Sequence, residues 1–339
     1  MSTALVLLAV PPVGWSLLGL IALVPTFAML HRLSSADAGL CGLALGGTIG
    51  AAVYVGAAVM DMTTYVLACL CTALGIGLAL LVIARVHRAA PAFAAPLAGA
   101  VWAGTELAFD ALSLPFTLAL VLVEAPALLQ AASLGGQWLV VFLLVTAQFA
   151  LAQALVNARP WGMAAGWLLV AAIATLAGRW HTLPAVGQVH AAAVQTRLHP
   201  FDYVHADADG HLDKLNATRE RLAEEVATQA DLVAWPEVPF AKFEVRAPEA
   251  RWPRLTQAQL VAGNDLGRDG RQYNAVFGVT ADGSVASRHV KSMLLPRLED
   301  KYATAAAVLP HAALPGAPGS LICFESAFPR VARHLSAAG

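Results

Sequence analysis

The sequence predicts a membrane-embedded bundle of helices followed by a layered α/β domain. Of the 21 basic and 22 acidic residues in the 339-residue chain, only five of each lie within residues 1–180. Long apolar runs are also confined to residues 1–180, as in a domain that lies in lipid. After residue 186, short β-rich runs alternate with a helical pattern, which is typical of a layered α/β domain.

The apolar runs predict the membrane spans, because about 17–25 such residues are needed to cross a bilayer as a helix. The run 116–132 is interrupted by Glu124 and Pro126, which favours a loop or a re-entrant segment. Residues 3–10 are too few to span, so they form half of a hairpin or continue a helix that begins before Met1. We expect about six or seven spans. The six clearest are 13–30, 38–60, 62–84, 91–112, 136–157 and 162–178.

Basic residues in the short loops predict the orientation of these spans. Arg32 follows the first span, Arg85 and Arg88 follow the third, and Arg159 follows the fifth. These loops alternate, so they lie on one side of the membrane, and an excess of Lys and Arg marks the cytoplasmic side. The polar half of the chain is therefore predicted to face away from the cytoplasm.

The remaining composition argues against several classes of function. A net charge of −1 provides no basic surface for nucleic acid, and three of the four cysteines lie in apolar runs, so no disulfide framework is expected. The histidines lack the spacing of metal ligands and no glycine-rich phosphate loop follows a strand, so we expect no metal and no cofactor. Glu106 and Asp110 lie within the fourth span, where carboxylates are costly and are either functional or structural.

The polar half alternates predicted strands with one helix and one hairpin. Residues 207–230 carry leucines at helical spacing between charged residues, which indicates an amphipathic helix. Two β-rich runs flank an Asp282-Gly283 turn and predict the hairpin. The predicted strands are 186–196, 231–235, 259–263, 273–280, 284–290 and 319–324, the last of which carries Cys323.

Three reactive side chains, Glu237, Lys291 and Cys323, follow or end predicted strands, where α/β folds place reacting groups. A thiol with a pKa of about 8.5 is mostly protonated at neutral pH, so a nucleophilic cysteine needs a base, which Glu237 can supply. Attack on a carbonyl builds negative charge on oxygen, which Lys291 and the N–H of Phe324 can hold. Taken singly, each residue is more typical of packing or of a surface charge.

The sequence around these residues resembles the three signature blocks of the carbon–nitrogen hydrolase (nitrilase) superfamily. The resemblance is closest to the apolipoprotein N-acyltransferase family, whose members join such a domain to an N-terminal helical bundle. The blocks occur in the family's order. They are Val-Ala-Trp-Pro-Glu237, His-Val-Lys291-Ser-Met-Leu-Leu-Pro-Arg-Leu-Glu299 and Leu-Ile-Cys323-Phe-Glu-Ser-Ala-Phe-Pro.

The resemblance implies a membrane bundle over residues 1–180 and a nitrilase-type αββα sandwich over residues 186–339, incomplete at its C-terminus. The implied enzyme is a multi-pass acyltransferase of the bacterial inner membrane whose catalytic domain faces the periplasm. It would move a fatty acyl group from a phospholipid, through a thioester, to the N-terminal amine of a lipoprotein. The implied catalytic residues are Glu237 as base, Lys291 as oxyanion stabiliser and Cys323 as nucleophile, with Glu299, Glu325 and Phe324 in support.

Two other interpretations stay open at the level of sequence. A conjugal-transfer TraB-type membrane nitrilase homologue would share the three residues, and it suits the differences from the acyltransferase pattern at 114–116 and 297–298. A truncated, non-catalytic membrane relative would keep the helical bundle and would catalyse no reaction. Acylation of Cys323 would separate the enzymes from the non-catalytic relative.

Overall fold

The chain folds into two compact units, Met1–Leu183 and Pro184–Gly339. The first unit is helical, and the second is built on a mixed β-sheet. In this computed structural model the described residues are 1–157, 161–180, 187–194, 217, 221–222, 224–225, 230–236, 257–266, 269–297, 299–304 and 310–337.

Two long helices of the first unit, Ser35–Val53 and Met62–Ala89, begin where a side chain satisfies one of their open N–H groups. The Ser34 hydroxyl accepts from Asp37 N at 3.1 Å, and the Asp61 carboxylate accepts from Thr64 N at 3.0 Å; such caps stabilise a helix start. The helices are α1 (Ser2–Ala9), α2 (Ser16–Gly19), α3 (Val24–Met29), α4 (Ser35–Val53), α5 (Val55–Met60), α6 (Met62–Ala89), α7 (Ala94–Ala111), α8 (Ala132–Asn157) and α9 (Trp161–Trp180). Two 3-10 turns, Leu118–Leu122 and Pro126–Leu129, join α7 to α8.

Four of the described helices, α4, α6, α8 and α9, are long and apolar enough to cross a membrane. Leu70 on α6 and Ile173 on α9 are 54% and 56% exposed, and outward apolar side chains of this kind are typical of helices that contact lipid. Three of the predicted spans, 62–84, 136–157 and 162–178, correspond closely to α6, α8 and α9. The predicted number of six or seven spans is not confirmed.

The predicted span 13–30 is wrong as a continuous helix, because the chain forms the short helices α2 and α3 there. Pro25 has no N–H and cannot continue a helix that began before residue 21. The buried Gln148 side chain forms hydrogen bonds with backbone groups that this break in the helix leaves open. Its Oε1 accepts from Leu23 N at 2.6 Å, and its Nε2 donates to Gly19 O at 3.0 Å.

The other predicted spans differ from the structure in detail. The run 38–60 is divided at Tyr54 into α4 and α5. The run 91–112 forms the single helix α7, which is not among the four helices apolar enough to span. The segment 116–132 contains two 3-10 turns and no spanning helix, which agrees with its prediction as a loop or re-entrant segment.

Glu106 on α7 has a structural role in this loop. The carboxyl group is buried, and its Oε1 accepts from Trp102 Nε1 and from Leu118 N, each at 2.9 Å. Leu118 is the first residue of a 3-10 turn, and the first N–H groups of such a turn have no partner within it. Glu106 therefore fixes the segment that follows α7.

Helices α4 and α6 pack closely because α4 presents glycines at intervals of four residues. A Cβ atom added to Gly42 would lie 2.7 Å from Ile76 O, and one added to Gly46 would lie 2.7 Å from Thr72 O. A Cβ atom added to the third glycine of the series, Gly50, would lie 3.2 Å from Cys69 Cα. Small residues with this spacing allow helices to approach closely within a membrane.

The described residues of the second unit form a five-stranded sheet in the order β1-β2-β3-β4-β5. The first three strands are parallel, and β3, β4 and β5 pair antiparallel. The hairpin predicted around Asp282-Gly283 is confirmed as β4 and β5. The described part of the predicted helix 207–230 is helical at 217, 221–222 and 224–225. The strands are β1 (Ala191–Ala193), β2 (Leu232–Ala234), β3 (Ala258–Leu266), β4 (Gln272–Val279) and β5 (Val285–Val290), and α10 (Pro329–Ala337) follows later in the chain.

Both faces of the sheet are covered by apolar side chains. Val261 and Phe277 belong to a cluster on one face, whereas Val276 packs with Ile322 on the other. Adjacent strand residues point to opposite faces, so the alternation between Val276 and Phe277 is expected. In the register of β4 and β5, Val276 lies opposite His289, which places His289 on the face that Ile322 covers.

Replacing Gly46 with Ala should destabilise the first unit by about 1–3 kcal/mol, the usual cost of overpacking. The added methyl group would collide with the Thr72 backbone, which cannot move independently of α6. Gly47→Ala is the matched control, because its Cβ would lie 3.7 Å from Ala73 Cβ. Thermal unfolding of the purified protein in detergent measures the difference, and equal melting temperatures for the two variants would contradict close packing at Gly46.

Candidate functional site

Cys323 begins a 3-10 turn, Cys323–Ala327, so the prediction of a strand over 319–324 is wrong. Ile322 has an extended backbone, but its N–H donates to Glu325 Oε2 at 2.8 Å instead of to a neighbouring strand. Cys323 itself has φ +46°, in the left-handed region that residues other than glycine seldom adopt. Its side chain is exposed, so the turn presents the thiol to solvent.

The Glu325 carboxylate is fully buried and accepts four hydrogen bonds. Ser292 donates its N–H at 2.6 Å and its hydroxyl at 2.7 Å to Oε1. Oε2 accepts from Ile322 N at 2.8 Å and from His289 Nε2 at 2.9 Å. Burial alone would raise the pKa of Glu325, but the bonds from His289, Ser292 and Ile322 outweigh it and lower the pKa below its usual value. Glu325 is therefore an ionised anchor and not a surface charge.

Lys291 is buried directly after β5 and is paired with Glu299. The side chain of Lys291 is 1% exposed, and its Nζ lies 2.8 Å from Glu299 Oε1. The same oxygen accepts from Asn274 Nδ2 at 3.1 Å, while Glu299 Oε2 accepts from Leu295 N at 2.7 Å. A buried ammonium group needs such a partner, because an unpaired buried charge is strongly destabilising.

Asn274 is a site residue that the sequence analysis did not assign. It lies on β4, is 5% exposed, and its carbonyl also accepts from Lys291 N at 2.8 Å. A polar side chain at an inward position of a buried strand is the signal that identifies it, because such groups are retained only when they are hydrogen-bonded.

The structure connects two of the three predicted catalytic residues. Ser292, which follows Lys291, is bonded to Glu325, two residues after Cys323. The end of β5 and the cysteine turn are therefore joined by one carboxylate. Glu237 lies outside the described residues, so its position in the site stays a prediction.

Aromatic contacts hold the far end of the turn. The Phe324 ring packs edge-on against Phe328, with centroids 4.9 Å apart. The Arg330 guanidinium lies 4.7 Å above the Phe328 ring and donates to Met293 Sδ at 3.4 Å. These contacts link the turn to the loop after Lys291 a second time.

A second buried histidine, His311, connects β5 with the segment before Cys323. Its Nδ1 lies 2.7 Å from Ser287 Oγ, and its Nε2 lies 2.8 Å from Ser320 Oγ. Burial, together with the nearby His289, lowers the pKa of His311 to about 4. Within the part of the chain that the structure describes, no group of three or more His, Cys, Asp or Glu side chains is arranged to hold a metal ion.

Comparison with known proteins concerns the first unit. Residues 2–150 match the family model described as the apolipoprotein N-acyltransferase N-terminal domain. The helical first unit is therefore similar to the N-terminal domain of apolipoprotein N-acyltransferases. A search of curated proteins found no significant match.

The match of residues 2–150 to this family model agrees with the resemblance found in the polar half. The matched residues extend from α1 into α8, so they include none of the site residues around Cys323 and Lys291. Two separate parts of the chain, the helical match and the signature blocks, therefore indicate one family. The roles of the individual site residues are predictions, and what supports them is their geometry.

Replacing Glu299 with Ala should destabilise the second unit by about 3–5 kcal/mol, because the buried Lys291 ammonium would lose its partner. Asp300→Ala is the matched control, since Asp300 is an exposed neighbour whose carboxylate accepts from Arg297 N at 2.9 Å. Pulse proteolysis in increasing urea measures both variants. Equal losses of stability at the two positions would contradict a buried ion pair.

The stability of the second unit should depend on pH between about 6.5 and 4 through His311. The folded pKa is about 4 against an ordinary 6.5, so the unfolded chain binds more protons in this range. The contribution of neutral His311 to the free energy of unfolding is complete above pH 6.5 and is lost as the pH falls. The loss reaches about 3 kcal/mol, at about 1.4 kcal/mol for each pH unit between the two pKa values. Urea unfolding from pH 7 to 4 should show a flatter dependence for His311→Gln, and identical slopes would refute this assignment.

Proposed function

We propose that this chain is an apolipoprotein N-acyltransferase of the bacterial inner membrane, with its catalytic domain in the periplasm. The family match of residues 2–150 supports the acyltransferase class, and the alternate loops that carry arginines support the orientation. The observation that carries the proposal is the Glu325 carboxylate, which joins the turn of Cys323 to Ser292 beside Lys291.

The proposed catalytic domain is a nitrilase-type αββα sandwich. The five-stranded mixed sheet, with apolar clusters on both faces, supports one layer of such a sandwich. The covering of both faces is the arrangement that a sheet inside a layered domain requires. In the sequence Glu237 follows β2 and Lys291 follows β5, and the ends of strands are where α/β folds place reacting groups.

In the first proposed step, Glu237 takes the proton of the Cys323 thiol, and the sulfur attacks the ester carbonyl carbon of a phospholipid. The C–S bond forms while charge develops on the carbonyl oxygen, where the Lys291 ammonium and the Phe324 N–H stabilise it. The ester C–O bond then breaks. The leaving alkoxide takes the proton from Glu237 and departs as a lysophospholipid, so the acyl group remains on Cys323 as a thioester.

In the second step, the α-amino group of a lipoprotein's N-terminal cysteine attacks the thioester carbon. Glu237 accepts the proton that the nitrogen releases, and the C–S bond breaks as the C–N bond forms. The Cys323 thiolate recovers this proton from Glu237. The product is an N-acylated lipoprotein, and the thiol is ready for another phospholipid. The side chains supply the base, the nucleophile and the positive charge for both steps.

The buried pairing of Lys291 suits its proposed role. An ammonium held by Glu299 at 2.8 Å is kept in one position and cannot reorient toward solvent. A fixed charge of this kind stabilises a developing oxyanion without reorganising during the reaction. Both proposed substrates carry acyl chains, which gives a reason for an enzyme of this class to have a membrane bundle.

The proposal predicts an acyl adduct on Cys323. After incubation with phospholipid vesicles, intact mass spectrometry should show one added acyl chain on the purified protein and none on Cys323→Ala. Glu237→Gln should slow adduct formation by about 10²–10⁴-fold, the usual contribution of a general base. Cys71→Ala is the matched control, because Cys71 is also an exposed thiol but lies on α6.

Several outcomes would contradict the proposal. These are an unmodified wild-type protein, an adduct that persists in Cys323→Ala, and labelling that does not depend on Glu237. A synthetic peptide with an N-terminal diacylglyceryl cysteine should discharge the adduct and gain the acyl chain. An adduct that forms but survives the peptide would contradict the proposed acceptor while leaving the nucleophile in place.

A further inference from the structure

His289 is a fully buried histidine that the proposed reaction does not use. It lies near the end of β5, and its side chain has no exposed surface. Its Nε2 lies 2.9 Å from Glu325 Oε2, whereas its Nδ1 has no hydrogen-bond partner among the residues that the structure describes. A buried polar atom without a partner is uncommon and calls for an explanation.

The chemistry of Glu325 determines which atom of His289 carries the proton. An ionised carboxylate only accepts hydrogen bonds, and its two oxygens offer about four acceptor positions. Ser292 and Ile322 fill three of these positions. The fourth is filled by His289, so the hydrogen must lie on its Nε2.

The position of His289 in the sheet shows that its bond to Glu325 starts from the same part of the sheet that positions Lys291. His289 pairs with Val276 on β4, and two residues later Lys291 is fixed to the same strand through Asn274 O at 2.8 Å. Residues two apart in an extended chain share one face of the sheet. His289 therefore holds Glu325 from the strand that also positions Lys291.

Glu325 transmits this constraint to Cys323. Its carboxylate binds the N–H of Ile322, the residue immediately before the cysteine, at 2.8 Å. Cys323 has a left-handed backbone with φ +46°, a conformation that persists only when surrounding contacts enforce it. The path from β5 to the strained residue thus consists of one imidazole, one carboxylate and one backbone N–H.

We propose that His289 is a positioning residue, which acts through Glu325 to hold Cys323 in its reactive conformation beside Lys291. The inference rests on the proposed function, because it concerns the reactivity of the proposed nucleophile. His289 does not need to contact substrate in this role. Its essential property is a single N–H donor at the position of Nε2.

Two amide variants test the position of the donor. The amide nitrogen of Gln reaches about as far along the side chain as His Nε2, whereas that of Asn reaches only as far as Nδ1. His289→Gln should therefore keep the bond to Glu325, and His289→Asn should lose it. Both variants bury one neutral amide, so a purely structural effect on folding should be similar for the two.

The first readout is the rate at which iodoacetamide alkylates Cys323 in the full chain, followed by peptide mass spectrometry. His289→Asn should slow alkylation roughly tenfold, the order expected when a hydrogen bond to a charged group is lost, and His289→Gln should restore it to near the wild-type rate. In acyl transfer, His289→Asn should lower kcat by a similar factor and leave KM nearly unchanged. Val261→Ala, a buried change on β3 away from Glu325, shows the effect of reduced stability alone.

The results separate this inference from the proposed function. Equal Cys323 reactivity in the Asn variant and the wild type, or equal impairment of the Asn and Gln variants, would overturn the role of His289. An acyl adduct that persists in Cys323→Ala would overturn the proposed function, while the alkylation rates would still report on His289. Rescue by Gln together with loss in Asn supports positioning.

Discussion

The second unit depends on one buried carboxylate. Glu325 has no exposed surface, and removing a carboxylate from water is unfavourable unless hydrogen bonds replace the lost solvation. Four donors replace it, two from Ser292 and one each from His289 and Ile322. Because these donors come from two segments at least 30 residues apart in sequence, the same bonds that solvate the charge also fasten the cysteine turn to β5.

Buried side-chain oxygens also accept backbone N–H groups in the first unit, at places where regular structure is interrupted. Gln148 accepts from Leu23 N between α2 and α3, and Glu106 accepts from Leu118 N at the start of a 3-10 turn. Each is a buried side-chain oxygen that receives a backbone N–H left open by an irregular segment. Open backbone groups are costly in water-free surroundings, so an interruption persists where a distant polar side chain can reach it.

This dependence on distant partners explains which elements the sequence could predict. The hairpin of β4 and β5 follows from a local turn signal, and α6 and α9 follow from the length of their apolar runs. The break after Gly19 could not be predicted, because it requires Gln148, 129 residues further along the chain. The predicted strand at 319–324 failed for a similar reason, since a carboxylate takes the N–H that a neighbouring strand would have needed.

The site was predictable to a different extent from the fold. The signature blocks led to the prediction of Lys291 and Cys323 as site residues, because the order of the blocks is itself informative. His289 lies inside the signature block of Lys291 but was not predicted as a site residue. A histidine at a strand end does not indicate a role until its partner is known. Its inward position, two residues before Lys291, was the one available signal.

The backbone of Cys323 shows why these connections are concentrated at one turn. A left-handed conformation costs a residue with a side chain about 1–3 kcal/mol, and Cys323 also leaves its thiol exposed, so its own side chain contributes little burial in return. The turn must therefore be stabilised by its neighbours. Ile322 packs into the sheet and gives its N–H to Glu325, and Phe324 packs on Phe328. An exposed thiol on a strained backbone between two anchored neighbours is costly for folding, and backbone strain of this kind is concentrated at functional sites.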